Sequence, residues 1–84
     1  MSKKQKLIAR LKQRPRDFAW SELIALLHYF GFGQEATGST GGSRRCFRNS
    51  EGVPIWFHEP HPSKVLKPYM IKQLISLLEK EGLI

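Results

Sequence analysis

The fold is decided by residues 44–58, which read RRCFRNSEGVPIWFH in one-letter code. Two short strand-like runs flank a Ser-Glu-Gly turn in this stretch, and that pattern predicts an antiparallel hairpin. Because side chains alternate between the faces of a strand, Phe47, Ile55 and Phe57 are expected to share the face that packs on the core. The opposite face then carries two guanidinium groups, an indole and an imidazole, which belong to Arg44, Arg48, Trp56 and His58.

Helical periodicity is found on both sides of this hairpin. Upstream, apolar residues recur at helical spacing in two segments, one ending before Pro15 and one spanning roughly 20–30. A Gly- and Ser-rich segment, 33–43, follows, and a short edge strand is predicted at its start. Downstream, a helix is predicted with Pro68 in its first turn, where a missing N–H costs nothing. The order predicts an α+β domain, with helices covering one face of a three-stranded antiparallel sheet.

Four residues mark the expected ends of the helices. Ser2 and Asp17 are side chains that accept hydrogen bonds from the free N–H groups at a helix N-terminus, and each precedes a helical segment. Gly31 and Gly82 are expected to end the second and last helices, because glycine adopts the left-handed conformation found just past helix C-termini.

Composition indicates one small basic domain. The chain has 84 residues and a formal net charge of +7, which favours polyanionic partners. Seven of its fourteen basic residues precede the first acidic residue, Asp17. We therefore divide the chain into a basic N-terminal helical extension, 1–16, and a folded domain, 17–84.

The cysteine and histidine content argues against a metal or other cofactor. A single cysteine, Cys46, excludes an internal disulfide and a thiolate zinc cage. His58 and His61 make a poor zinc pair, because zinc needs a further protein ligand and Pro60 prevents helical presentation. No stretch approaches the ~18–20 apolar residues of a membrane span, and the N-terminus lacks a signal-peptide core. We expect a cytoplasmic protein without membrane association.

Five short tracts carry a resemblance to a known family: 42–49, 55–57, the dipeptide His61-Pro62, 66–67 and 71–74. Together they resemble the HicA family, the small toxins of bacterial and archaeal toxin–antitoxin pairs, and the resemblance covers roughly residues 20–84. It implies a fold like that of double-stranded-RNA-binding domains. It also implies metal-independent cleavage of mRNA and inhibition by a tightly bound HicB antitoxin.

One position departs from the family pattern. HicA proteins typically carry a catalytic histidine directly after the Gly-Ser, and here that residue is Arg44. A metal-free ribonuclease needs a base for the 2′-hydroxyl and an acid for the leaving oxygen, and an imidazole can serve as either. A guanidinium stays protonated, so it can clamp a phosphate but cannot be the base. Arg44 therefore marks either an active variant with another base or a binder that no longer cleaves.

The candidate site residues follow from these arguments. His58 or His61 is the candidate acid or base, assisted by Arg44; alternatively, the two histidines are a strand-end surface residue and a turn residue. Trp56 is expected to stack on a base or on antitoxin side chains, or else to lie under the N-terminal helix. The candidate RNA contacts are Ser43, Arg44, Arg45, Arg48, Trp56, Lys64 and Lys67.

Other functions and roles stay open at this point. The domain is an RNA-cleaving toxin, a non-catalytic RNA- or antitoxin-binding module, or, less favoured, a winged-helix DNA-binding domain, whose helix before the hairpin would need a basic face. The N-terminal helix either docks on the domain through Leu7, Ile8 and Leu11 or contacts phosphates through Lys3, Lys4, Lys6 and Arg10. Binding to a membrane surface is the least favoured role, because its apolar face is short.

Overall fold

The computed structural model describes residues 2–35 and 44–84. Their helices and strands are α1 (Lys3–Lys12), α2 (Trp20–Tyr29), β1 (Gly33–Gln34), β2 (Arg44–Arg48), β3 (Pro54–His58) and α3 (Pro68–Lys80). The predicted α+β class and element order are confirmed, and the arrangement is like that of double-stranded-RNA-binding domains. A winged helix would need its third helix before the hairpin, whereas α3 follows it. No described helix combines the length and apolarity that crossing a membrane requires.

The sheet is antiparallel in the order β1-β2-β3. Its register pairs Arg44 with His58 and Phe47 with Ile55. Phe47 is fully buried and Ile55 is nearly so, whereas both members of the other pair are exposed. The predicted alternation is confirmed along β3, and the sheet has one inner face and one open face. In β2, Cys46 is an exception, because it is buried although it belongs to the open face. The turn between β2 and β3 ends at Gly52, whose φ of +81° favours glycine.

All three helices and the inner face of the sheet share one hydrophobic core. From α1, Leu11 is fully buried in it, and Leu7 and Ile8 are partly buried against it. The N-terminal helix is thus docked through the three residues predicted for docking. The other core members include Phe18, Trp20, Leu23, Leu26, Leu27, Phe47, Phe57, Met70, Leu74 and Leu78. Where the chain divides between extension and domain stays a prediction.

Three of the four predicted helix ends are confirmed. The Oγ of Ser2 accepts a hydrogen bond from the Gln5 N–H at 3.2 Å, and glycines with positive φ follow α2 and α3. The N-cap predicted at Asp17 is wrong. Instead α2 begins after Ala19, whose N–H donates to Oε1 of Glu22 at 2.9 Å. Asp17 is engaged elsewhere, with its Oδ1 3.1 Å from Nη2 of an arginine on α1.

A short backbone bridge joins the segments that precede α2 and α3. Ala19 and Val65 form an antiparallel bridge. The Trp20 N–H donates to the Lys64 carbonyl, and the Leu66 N–H donates to the Phe18 carbonyl, each at 2.8 Å. These bonds hold the start of α3 next to the segment that links α1 to α2.

Candidate nucleic-acid interface

Three of the predicted site residues meet on the open face of the sheet. Arg44 and His58 are cross-strand partners at the end of the hairpin away from its turn. The Arg44 guanidinium lies over the Trp56 ring, 4.2 Å from its centroid. Trp56 is 43% exposed, so its alternative placement under the N-terminal helix is wrong. This contact brings a guanidinium and an indole together as a platform, and both groups present flat surfaces on which a base can stack.

These side chains line a cleft of about 260 Å³ between β3 and the first turns of α3. The helix contributes Tyr69 and Gln73, which lie one turn apart on the same side of α3. Neither was indicated by a sequence motif. Their helical spacing shows that they share a face, but only the packing of α3 against the sheet places that face beside His58. The full lining is Arg44, Trp56, Phe57, His58, Tyr69, Met70 and Gln73.

Arg48 shares the open face with Arg44 but lies at the opposite end of β2. Its guanidinium forms an ion pair with Glu35 and donates from Nη1 to the Gly52 carbonyl at 2.9 Å. The bond to Glu35 raises the pKa of Arg48. Arg48 therefore joins the end of β1 to the hairpin turn, and its charge is already compensated by a carboxylate.

Arg45 lies on the opposite face of the sheet from Arg44 and His58, and it does not line the cleft. It is the cross-strand partner of the buried Phe57, and its Nη2 is 3.3 Å from Oε1 of Glu59. The other carboxylate oxygen of Glu59 pairs with Lys64, and this hydrogen bond lowers the pKa of Glu59. Arg45 and Lys64 thus form an ion-pair cluster through one carboxylate, and their contact with RNA stays a prediction.

The remaining predicted site residues are not brought into the cleft. His61 is exposed on the loop after β3 and does not line the cleft. Lys67 is the exposed N-cap residue of α3. Ser43 lies outside the described residues. Of the two histidines proposed as acid or base, the structure therefore sets only His58 beside Arg44.

The chemistry available in the cleft is that of one imidazole, one guanidinium, one phenol and one amide next to an exposed indole. Within residues 2–35 and 44–84, no group of three or more His, Cys, Asp or Glu side chains is arranged to hold a metal ion. The set matches what an RNA strand offers, because bases stack on aromatic and guanidinium planes while phosphates bind cations.

Comparison with known proteins identifies one family. A family model described as "HicA toxin of bacterial toxin-antitoxin" matches residues 20–83, which include every residue of the cleft. No curated protein and no solved structure matches the chain. The matched region begins at α2, so α1 and the segment that links it to α2 lie outside it.

Proposed function

The chain belongs to the HicA family of bacterial toxin–antitoxin toxins, and we propose that it is a metal-independent endoribonuclease that cleaves mRNA in the cytoplasm. Its activity is neutralised by a HicB-like antitoxin. The observation that supports this proposal is the position of His58 and Arg44, paired across the open face in one cleft. An imidazole that can accept a proton and a guanidinium that can bind a phosphate thus lie side by side.

In the proposed reaction, His58 acts as the general base. Its imidazole takes the proton of a ribose 2′-hydroxyl, and the O2′ oxygen then attacks the adjacent phosphorus. The O2′–P bond forms and the P–O5′ bond breaks, so the leaving O5′ oxygen needs a proton. Trp56 holds the neighbouring base by stacking on the platform that it forms with Arg44.

Arg44 stabilises the charge that develops on the phosphate oxygens. A guanidinium donates two parallel hydrogen bonds to a phosphate, and these bonds strengthen as the phosphorane forms. Arg44 pairs with no carboxylate in the described part of the chain, so its donors are available for such a contact. In the proposed mechanism, Arg44 stabilises charge at the position directly after the Gly-Ser. The general base, His58, belongs to the neighbouring strand β3.

The leaving oxygen receives its proton from Tyr69. This phenol lines the same cleft and is 59% exposed, so it can reach a bound strand. His61 is the other acid considered from the sequence, and it lies outside the cleft lining. The structure therefore favours Tyr69 over His61 for this role.

A HicB-like antitoxin is expected to cover this face. The whole chain carries a net charge of +7, which attracts an acidic partner. Trp56 and Tyr69 are exposed aromatic side chains beside the cleft, and such residues often dominate binding at protein interfaces. An antitoxin that buries both aromatics would also block access to His58.

One observation favours a second candidate function, a non-catalytic module that binds RNA or antitoxin. The position where HicA proteins carry a histidine holds Arg44, and His58 is the only histidine that lines the described cleft. If His58 does not act as a base, the cleft retains only binding groups.

Cleavage of a long, unstructured RNA by the purified protein in EDTA tests the proposal. We expect the wild type to cleave, His58→Ala to lose at least about 10²-fold in rate, and His61→Ala to retain activity. His61 is a matched control, because it is an exposed histidine outside the cleft. RNA binding without cleavage would contradict the nuclease assignment, and cleavage gained only in Arg44→His would establish the non-catalytic module.

A further inference from the structure

A second concavity lies next to the cleft and shares one residue with it. This groove of about 660 Å³ runs between the segment that links α1 to α2 and the first turns of α3. Its lining is Arg14, Pro15, Arg16, Pro68, Tyr69, Ile71 and Lys72. Tyr69 lines the groove and the cleft alike, so the two concavities meet at its exposed ring.

The groove collects cations that no carboxylate compensates. Arg14, Arg16 and Lys72 are exposed, and none of them forms an ion pair with another described residue. Asp17 is adjacent in sequence, but its carboxylate is paired with Arg10. Three positive charges around an apolar floor therefore face solvent on one side of Tyr69.

The backbone at Arg14 supports a functional role for this segment. Arg14 has φ +52° just past the C-cap of α1, a position at which glycine is normally favoured. Its N–H donates to the Leu11 carbonyl at 2.9 Å, which helps to fix the conformation. Residues held in such sparsely populated conformations concentrate at functional sites.

We propose that this groove binds the phosphate backbone of the RNA strand that occupies the cleft, and so extends the substrate site beyond Tyr69. The inference rests on the proposed function, and it identifies the substrate as a single strand that is unpaired at Tyr69. A ring exposed between two basic concavities suits an unstacked base, with phosphates on either side of it. Arg14 and Arg16 precede the family-matched region, so two of the three groove cations lie outside it.

Binding of 2′-O-methyl oligouridylates of two to twelve nucleotides tests the groove without cleavage, because these strands lack the nucleophilic hydroxyl. We expect wild-type affinity to rise with length. In the groove variant, which combines Arg14→Gln, Arg16→Gln and Lys72→Gln, the dinucleotide affinity stays within about twofold of wild type and the gain with length is lost. Each phosphate contact to a single strand contributes ~0.7 to the slope of log K against log salt concentration. Loss of three contacts should therefore make this slope shallower by about 2.

A control variant removes charge from surfaces where no RNA contact is proposed. Lys12 and Lys80 are exposed outside the groove and the cleft, and their joint replacement by Gln should leave the length dependence intact. Lys72→Glu is a second variant with a single exposed change, and it should weaken long strands more than Lys72→Gln does.

Three outcomes would overturn the inference. These are an absence of length dependence in the wild type, an equal loss in the control, and normal RNA binding by the groove variant together with impaired antitoxin neutralisation. The last result would assign the groove to the antitoxin. The proposed function fails separately if unmodified RNA stays intact in the cleavage assay. That result does not affect the binding test, because the 2′-O-methyl strands report binding without cleavage.

Discussion

The two ends of β2 carry the same residue on the same face and use it differently. Arg48 pairs with Glu35 and bonds to the Gly52 carbonyl, whereas Arg44 lies on Trp56 and faces a cleft. One guanidinium holds the sheet together, and the other keeps its donors available for a ligand. The contrast extends across the molecule, since Arg10 and Lys64 are also paired with carboxylates. Partners within the fold therefore separate structural cations from candidate RNA-binding ones.

The largest expected effect separates Arg44 from Arg48 in catalysis. Arg44→Ala should lower kcat/KM for RNA cleavage by about 10²–10³-fold, the usual loss when a donor that stabilises developing charge is removed. Arg48→Ala should lower it less than about tenfold and should instead lower Tm. The measurement is cleavage in EDTA beside thermal unfolding of both variants. Equal catalytic losses would break the comparison between the two ends of β2.

Trp56→Ala should weaken RNA binding by the next largest amount. A stacked base contributes ~1–3 kcal/mol, so we expect an affinity loss of at least about fivefold for a 2′-O-methyl strand. Tyr29 is a matched control, because it is 46% exposed and lies outside the cleft and the groove. Titration by fluorescence anisotropy gives both affinities. A similar loss for Tyr29→Ala would show that the Arg44–Trp56 platform has no special role.

The ion pair between Arg10 and Glu22 should make the stability of the fold depend on pH. Hydrogen bonding to Arg10 lowers the pKa of Glu22, so the native state favours the ionised carboxylate. This stabilisation is present above the unfolded pKa of ~4.3 and is lost as pH falls through the lower folded value. Arg10→Gln should therefore lower Tm at pH 7, and the difference from wild type should shrink by pH 3. A constant difference at both values would contradict the linkage.

The smallest expected effect concerns the strained position in the groove. Arg14→Gly relieves a left-handed conformation that disfavours residues with a Cβ, although glycine also gains freedom in the unfolded chain. We expect a Tm equal to or slightly above that of wild type, while binding of long RNA strands weakens. Thermal unfolding and strand titration measure the two effects. A clear fall in Tm would show that Arg14 is a structural residue, like the paired cations.

The sheet and its two faces could be predicted because the pattern is local. Alternation along β3 fixes the buried position of Phe57 and the exposed position of His58, and only one register buries the apolar set. The start of α3 could also be predicted, because within a helix proline is favourable only in the first turn. Interactions between sequence neighbours determine both features.

Which cations pair with carboxylates and which stay available for a ligand could not be predicted in this way. Nothing in the sequence indicates which of Arg44, Arg45 and Arg48 has a carboxylate partner, because Glu35 and Glu59 are brought to two of them only by the fold. The same applies to Asp17, which resembles a helix cap but pairs with an arginine on α1. Such partners are set by tertiary packing rather than by spacing along the chain.

The backbone bridge between Ala19 and Val65 also fixes the position of the groove relative to the cleft. It fastens the segment that carries Arg14 and Arg16 to the start of α3, and Lys72 follows within that helix. The distance from the groove to the cleft is thus set by the protein before any strand arrives. If the proposed RNA strand occupies both, its path is therefore set by the protein rather than by the strand.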